Sequence, residues 1–291
     1  MCSDDLKPRT KDRAFMGATH AVSGLAVLLA LVAFVPGFIE WSGINSMALI
    51  ILTAFVVAGG ALLPDLDNSA SSAKSALGIF GHALSFVFIN SSRVIQTVIR
   101  TRRDDADPNP HRGFWHTIPA ALLFGFLTLL ATQIPGKTTV PIYGEVTFSW
   151  ISALVICALS VHLAFAGLFG TFIKKVRKSS IVGELAALGI ALVATGTVFW
   201  FLPHNENFWW LSVAVTLGVL VHIFGDAFTT AGVPLLFPLS GFIKKKFWWN
   251  TRFTPMKAGG VAEKYVMLPI FSLIVVVSLA KIILELFQPV A

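Results

Sequence analysis

The stretch Asn45-Ser46-Met47-Ala48-Leu49-Ile50-Ile51-Leu52-Thr53-Ala54-Phe55-Val56-Val57-Ala58-Gly59-Gly60-Ala61-Leu62-Leu63-Pro64, followed at once by Asp65-Leu66-Asp67, decides the class of fold. It carries no charge before Asp65. A helix rises about 1.5 Å per residue and the hydrocarbon core is about 30 Å thick, so a run of this length can cross a bilayer. Similar runs occupy 16–38, 115–134, 148–172, 181–202, 208–230 and 266–288. Gly and Pro punctuate their ends at Pro36-Gly37, Pro64, Pro135-Gly136 and Pro203.

Composition agrees with that reading. Of the 291 residues, 55% are apolar and only 13% are charged. A soluble chain of this length needs far more polar surface around its core. The expected fold is therefore all-α, a polytopic membrane helix bundle of about seven transmembrane helices with added interfacial helices. The whole of 1–291 reads as one transmembrane domain, and 1–15 as a cytoplasmic N-terminal segment rather than a cleaved signal. Cys2 and Cys157 make neither a disulfide framework nor a thiolate metal site.

Two segments interrupt the pattern. In 68–110, a cytoplasmic or interfacial insertion, the apolar run Ala76 to Asn90 meets Ser91, Ser92 and Arg93. It is short and polar at its end, which predicts an interfacial or re-entrant helix. In the loop 232–264, Lys244-Lys245-Lys246 precedes Phe247-Trp248-Trp249. Basic heads and aromatic rings suit the headgroup level.

Charge gives the bundle a direction. With the N-terminus inside, 20 of the 22 Lys and Arg fall in the inner segments 1–15, 65–114, 173–180 and 231–265. Lys137 is on the other side and Lys281 near the outer end of the last span. This bias predicts a cytoplasmic N-terminus in a cytoplasmic (inner) membrane. It also accounts for the net charge of +7 without a nucleic-acid partner.

Four polar clusters then fall at the inner face. His20 opens the first span, Asp65 and Asp67 close the second, His111-Arg112-Gly113-Phe114-Trp115-His116 opens the third, and His222 with Asp226 closes the sixth. His222 and Asp226, at i and i+4, share one helix face. His111 and His116, five apart, do not; with Pro110 before it, His111 belongs to the preceding loop. Taken singly, each cluster has a plainer explanation: His20 as a cap, Asp65 and Asp67 as a helix end, His222 and Asp226 as a buried polar pair. Hydropathy does not force all four to one side, and their convergence predicts a single site.

Imidazole with carboxylate favours Zn, Mn or Fe over an all-oxygen Mg or Ca site. The ligands exceed what one tetrahedral ion needs, which points to a two-metal centre. Arg112 is suited to pair with an anionic group in bidentate fashion. Among other polar residues, His82 reads as surface-facing and His162 as a structural hydrogen-bond partner of another helix. His204 reads as solvated, as do Asp104, Asp105 and Asp107 beside Arg102 and Arg103; Lys281 and Glu285 read as an i,i+4 pair. Glu263, on the site side, is a further candidate ligand or base.

The clusters also carry a resemblance. Thr19-His20-Ala21-Val22-Ser23-Gly24, Leu63-Pro64-Asp65-Leu66-Asp67, His111 to His116, and His222-Ile223-Phe224-Gly225-Asp226-Ala227-Phe228-Thr229-Thr230-Ala231-Gly232-Val233-Pro234, running on to Pro238, resemble the YdjM-like family. These are inner-membrane metal-dependent hydrolases of bacteria and archaea, themselves distantly similar to zinc-dependent phospholipase C and P1-type nucleases. The resemblance implies a prokaryotic inner-membrane protein whose metal ligands are His20, Asp65, Asp67, His111, His116, His222 and Asp226. Trp115 departs from it, since the family more often has Thr there.

These readings together predict a metal-dependent hydrolase with one to three divalent ions. Its substrate is expected to be a phosphoester of a membrane lipid or lipid-linked molecule, reached from the cytoplasmic leaflet. Asp65, Arg112 and His116 are the expected catalytic residues. Two rivals remain: a transporter or channel for a metal ion or small anion, and a membrane scaffold with a structural metal.

Overall fold

A computed structural model describes residues 17–68, 71–99, 112–176, 181–202, 207–239, 251–253 and 256–286. Its helices are α1 (Gly17–Phe34), α2 (Phe38–Ser42), α3 (Met47–Gly60), α4 (Ser72–Ala76), α5 (Gly78–Ile99), α6 (Ile118–Ala131), α7 (Phe148–Val176), α8 (Ile181–Trp200), α9 (Trp209–Ala227) and α10 (Leu268–Leu286). Local chemistry sets several starts. The Ser46 side chain accepts from Leu49 N at the head of α3. Thr117 accepts from Ala120 N at the head of α6, where Pro119 occupies the first turn and removes a donor that has no partner there.

Among the described residues, five segments are long and apolar enough to cross a membrane: Gly17–Phe34, Met47–Asp67, Phe148–Phe169, Trp209–Ala227 and Glu263–Glu285. The runs expected at 115–134 and 181–202 give shorter apolar helices, Ile118–Ala131 and Leu185–Trp200. In the first, a 3-10 turn over Phe114–His116 and a cap at Thr117 use up the front of the run. The remaining 14 residues reach only about 21 Å.

The spine is α3, packed against α1, α7 and α9. Small residues allow the close approach. A Cβ on Gly59 would collide with the backbone carbonyl of Ser160 on α7, and one on Gly218 of α9 with that of Val57. Without a strong hydrophobic drive between helices in lipid, such contacts carry much of the association. Gly59→Ala is accordingly expected to cost about 1–3 kcal/mol by overpacking, read as a lower midpoint of thermal unfolding in detergent. By contrast α10 packs mainly on α1, and only 11% of its span is buried.

Two features depart from the sequence reading. The run expected at 76–90 is helical from Gly78 to Ile99, straight through Ser91, Ser92 and Arg93. The serines do not end the helix because each finds a partner outside it: Trp115 Nε1 donates to Ser91 Oγ (3.2 Å) and Phe114 N to Ser92 Oγ (3.2 Å). The inward face of α5 carries Gly81, Ser85, Phe88 and Ser92, while Leu84, Phe86, Val87, Val94 and Val98 are exposed. That is the reverse of a soluble amphipathic helix. The second feature is a hairpin, β1 (Lys137–Val140) paired antiparallel with β2 (Gly144–Thr147), between the runs expected at 115–134 and 148–172 in an otherwise all-α expectation. The expected basic-aromatic stretch Lys244 to Trp249, and also His204 and Asp104, Asp105 and Asp107, lie outside the described residues.

Candidate metal centre

The helices deliver the motif residues to one end of the bundle. His20 sits in the first turn of α1. Where α3 ends, Pro64 opens a 3-10 turn over Pro64–Asp67 that turns Asp65 and Asp67 inward. His116 closes the 3-10 turn ahead of α6, and His222 and Asp226 lie on the last turns of α9. All six side chains are at most 4% exposed. His111, the seventh expected ligand, lies outside the described residues.

Asp226 is the hub. Its Oδ1 lies 3.5 Å from His20 Nε2, and its Oδ2 lies 3.6 Å from both His116 Nε2 and His222 Nε2. His222 Nε2 is 4.0 Å from Asp65 Oδ1, and His116 Nδ1 is 3.5 Å from Asp67 Oδ2. The rings of His20 and His222 stack with centroids 3.9 Å apart. These separations are long for hydrogen bonds. They suit the edges of a coordination shell: Zn–N bonds of about 2.0–2.1 Å in a tetrahedron place neighbouring donors about 3.3 Å apart. Two triads have ligand atoms within 4.8 Å of one another: His20, His222 and Asp226; and Asp65, His116 and His222. Asp67 belongs to neither and stands behind His116.

Burial without partners sharpens the fit. Asp65 Oδ1, His222 Nε2 and Asp226 Oδ2 have no hydrogen-bond partner among the described residues. Buried polar atoms in that condition cost about 1–3 kcal/mol each unless something fills the gap. Coordination of a divalent ion does so. His222 is also prepared for it. Its Nδ1 lies 2.8 Å from Ala61 O, and a carbonyl can only accept, so Nδ1 carries a proton and Nε2 is the nitrogen left to coordinate an ion. Only one nitrogen of His222 is then available, so the two triads cannot both be completed by it at once.

Arg112 takes a different place from a free anion-binding residue. Its Nη2 donates to Asp226 Oδ1 (3.2 Å), and its Nη1 to Thr229 Oγ1 (2.5 Å) and Gly232 O (3.2 Å). It is 7% exposed. Its φ of 74° makes it the only non-glycine with positive φ among the described residues. That conformation costs roughly 1–2 kcal/mol in a residue with a Cβ. The turn brings the guanidinium to Asp226, and its contacts there offset the cost.

The neighbouring residues complete the frame. Trp115, the family departure, donates to Phe88 O (2.9 Å) and stacks on Phe88, fastening α5 over the His116 turn. His162 Nε2 bonds Ala76 O (2.9 Å), tying α7 to α4, and His82 is exposed. Sequence reasoning missed Thr229 and the carbonyl of Ala61. Thr229 falls within the quoted motif and so had a signal; a carbonyl has none. An apolar cavity of about 220 Å³, lined by Leu28, Trp41, Trp209 and Trp210 among others, is formed by α1, α2, α3 and α9 and includes none of the cluster residues.

Residues 15–165 and 184–287 match the YdjM inner membrane protein family, and the chain belongs to that family. No curated protein and no solved structure matches it.

Proposed function

From membership of the YdjM inner-membrane family and from the buried His/Asp cluster, we propose that the chain is a membrane-bound metal-dependent hydrolase. The reaction is hydrolysis of a phosphoester in a lipid or lipid-linked substrate at the cytoplasmic leaflet of a prokaryotic inner membrane. The observation that carries this reading is the set of six buried side chains from α1, the turn after α3, the turn before α6, and α9, with facing nitrogen and oxygen atoms 3.5–4.0 Å apart.

In this reading His20, Asp65, His116, His222 and Asp226 hold one to three divalent ions, Zn or else Mn or Fe, with Asp67 and His111 completing the set. A divalent ion so held supplies Lewis acidity and brings the pKa of water toward neutrality. The chain's own residues hold and orient. Ala61 O keeps the proton of His222 on Nδ1, Asp67 faces His116 Nδ1 and fixes the turn of its ring, and Arg112, itself bonded to Thr229, holds the Asp226 carboxylate. The basic residues that surround this end, counted as cytoplasmic, favour a substrate with an anionic head and an apolar tail. The outward apolar face of α5 suits contact with the same leaflet.

One observation favours a second reading. The cluster is almost fully buried, and structural metal sites are closed whereas catalytic ones keep an open position. A scaffold with a structural metal predicts tightly held ion and no turnover. Metal analysis of the detergent-purified chain, paired with a lipid and nucleotide phosphoester screen of wild type and Asp65→Asn, separates the two. We expect bound metal and turnover in wild type, with turnover falling at least 100-fold in Asp65→Asn, as when a group acting on developing charge is lost. Metal without turnover on any substrate would leave the scaffold; no metal at all would defeat both.

A further inference from the structure

We propose that Glu263 is a positioning residue for the metal centre, acting on His20 through the hydroxyl of Thr19. This rests on the reading of the cluster as a metal site. Glu263 is 0% exposed, although it belongs to the span of which only 11% is buried. Its Oε1 accepts from Thr19 Oγ1 at 2.8 Å, and its Oε2 from Gly259 N at 2.5 Å. Thr19, also fully buried, is the residue before His20.

Three physical points make this more than a helix contact. First, Glu263–Met267 is a π-helical segment leading into α10. Such wide turns are rare and gather at functional sites, because the extra residue re-aims a side chain. Here the re-aimed side chain is a carboxylate, turned inward from a helix whose other faces look outward. Second, His20 lies in the opening turn of α1, and helix ends fray unless held. A tie from another span to Thr19 fixes that turn and therefore the ring that faces Asp226 Oδ1. Third, Thr19 Oγ1 and Gly259 N both end on this one carboxylate, so Glu263 joins the loop ahead of α10 to the first turn of α1.

The test is Zn²⁺ titration of the full chain in detergent against a competing chelator, for wild type, Thr19→Val, Thr19→Ser, Glu263→Ala and the Thr19→Val/Glu263→Ala double variant. Loss of an outer partner of a ligand weakens metal binding about 10- to 100-fold. Thr19→Val and Glu263→Ala should each fall in that range, Thr19→Ser should stay near wild type, and the double variant should be no weaker than Glu263→Ala. Thr19→Val keeps the shape of the side chain and carries the test if Glu263→Ala does not fold. A folded Thr19→Val with wild-type Zn²⁺ affinity overturns the proposal, and so do losses that simply add in the double variant. A wild-type chain that takes up no Zn²⁺ rejects the metal reading itself; wild-type uptake with unchanged variants rejects only the role of Glu263.

Discussion

Asp226→Ala is expected to abolish metal binding and to destabilise the fold by about 3–5 kcal/mol, the range seen when one partner of a buried ion pair is removed. Both effects follow from the hub geometry. The carboxylate faces three imidazoles, His20, His116 and His222, at 3.5–3.6 Å, so its loss opens the triad it forms with His20 and His222 and takes away the carboxylate that faces His116. The same carboxylate is the charge partner of Arg112, which is nearly buried and held in a positive-φ turn. Left behind, that guanidinium keeps Thr229 and Gly232 but loses the carboxylate of Asp226. A second substitution separates the two effects. Arg112→Met in the Asp226→Ala background removes the uncompensated charge and should recover much of the stability, since apolar replacement of a buried pair is often neutral or better. It should not recover metal. Unfolding midpoints in detergent and metal content per chain read the two separately. A double variant that regains metal would show that Asp226 is not a ligand.

The membrane class and most spans were legible because lipid imposes a simple rule: about 20 apolar residues in a row, whatever their neighbours. Gly17–Phe34, Met47–Asp67 and Trp209–Ala227 follow it closely. The cluster was legible for a related reason: charged and imidazole side chains at membrane depth are costly and stand out against an apolar background. What the chain of letters hid were pairings over long separations. Arg112 looks free beside His111, yet its partner is 114 residues away. Ser91 and Ser92 look like a helix end, yet hydrogen bonds from the Trp115 turn satisfy them within the helix. Glu263 meets Thr19 across 244 residues. The shortfall of the third span has a local cause, a cap at Thr117, that hydropathy averages away.

Removal of bound metal by a chelator is the other change expected to have a large effect, and it needs no substitution. Asp65, Asp67 and Asp226 are buried side by side, and Asp65 Oδ1, His222 Nε2 and Asp226 Oδ2 have no hydrogen-bond partners among the described residues. An ion that binds the folded chain alone stabilises it by about 2.7–4.1 kcal/mol at 100 to 1,000 times its Kd. Stripping it should lower the unfolding midpoint by roughly 5–15 °C, and adding Zn²⁺ back should restore it. The direction distinguishes this site from an ordinary polar core. Buried pairs that satisfy one another gain nothing from added metal, whereas ligands set 3.5–4.0 Å apart are drawn together by it. His222→Ala supplies the control. It removes Nε2 from both triads, so its midpoint should no longer respond to chelator or to Zn²⁺. A wild-type midpoint equally indifferent to both would mean that the cluster is held by its own hydrogen bonds and charges, and that these side chains hold no ion.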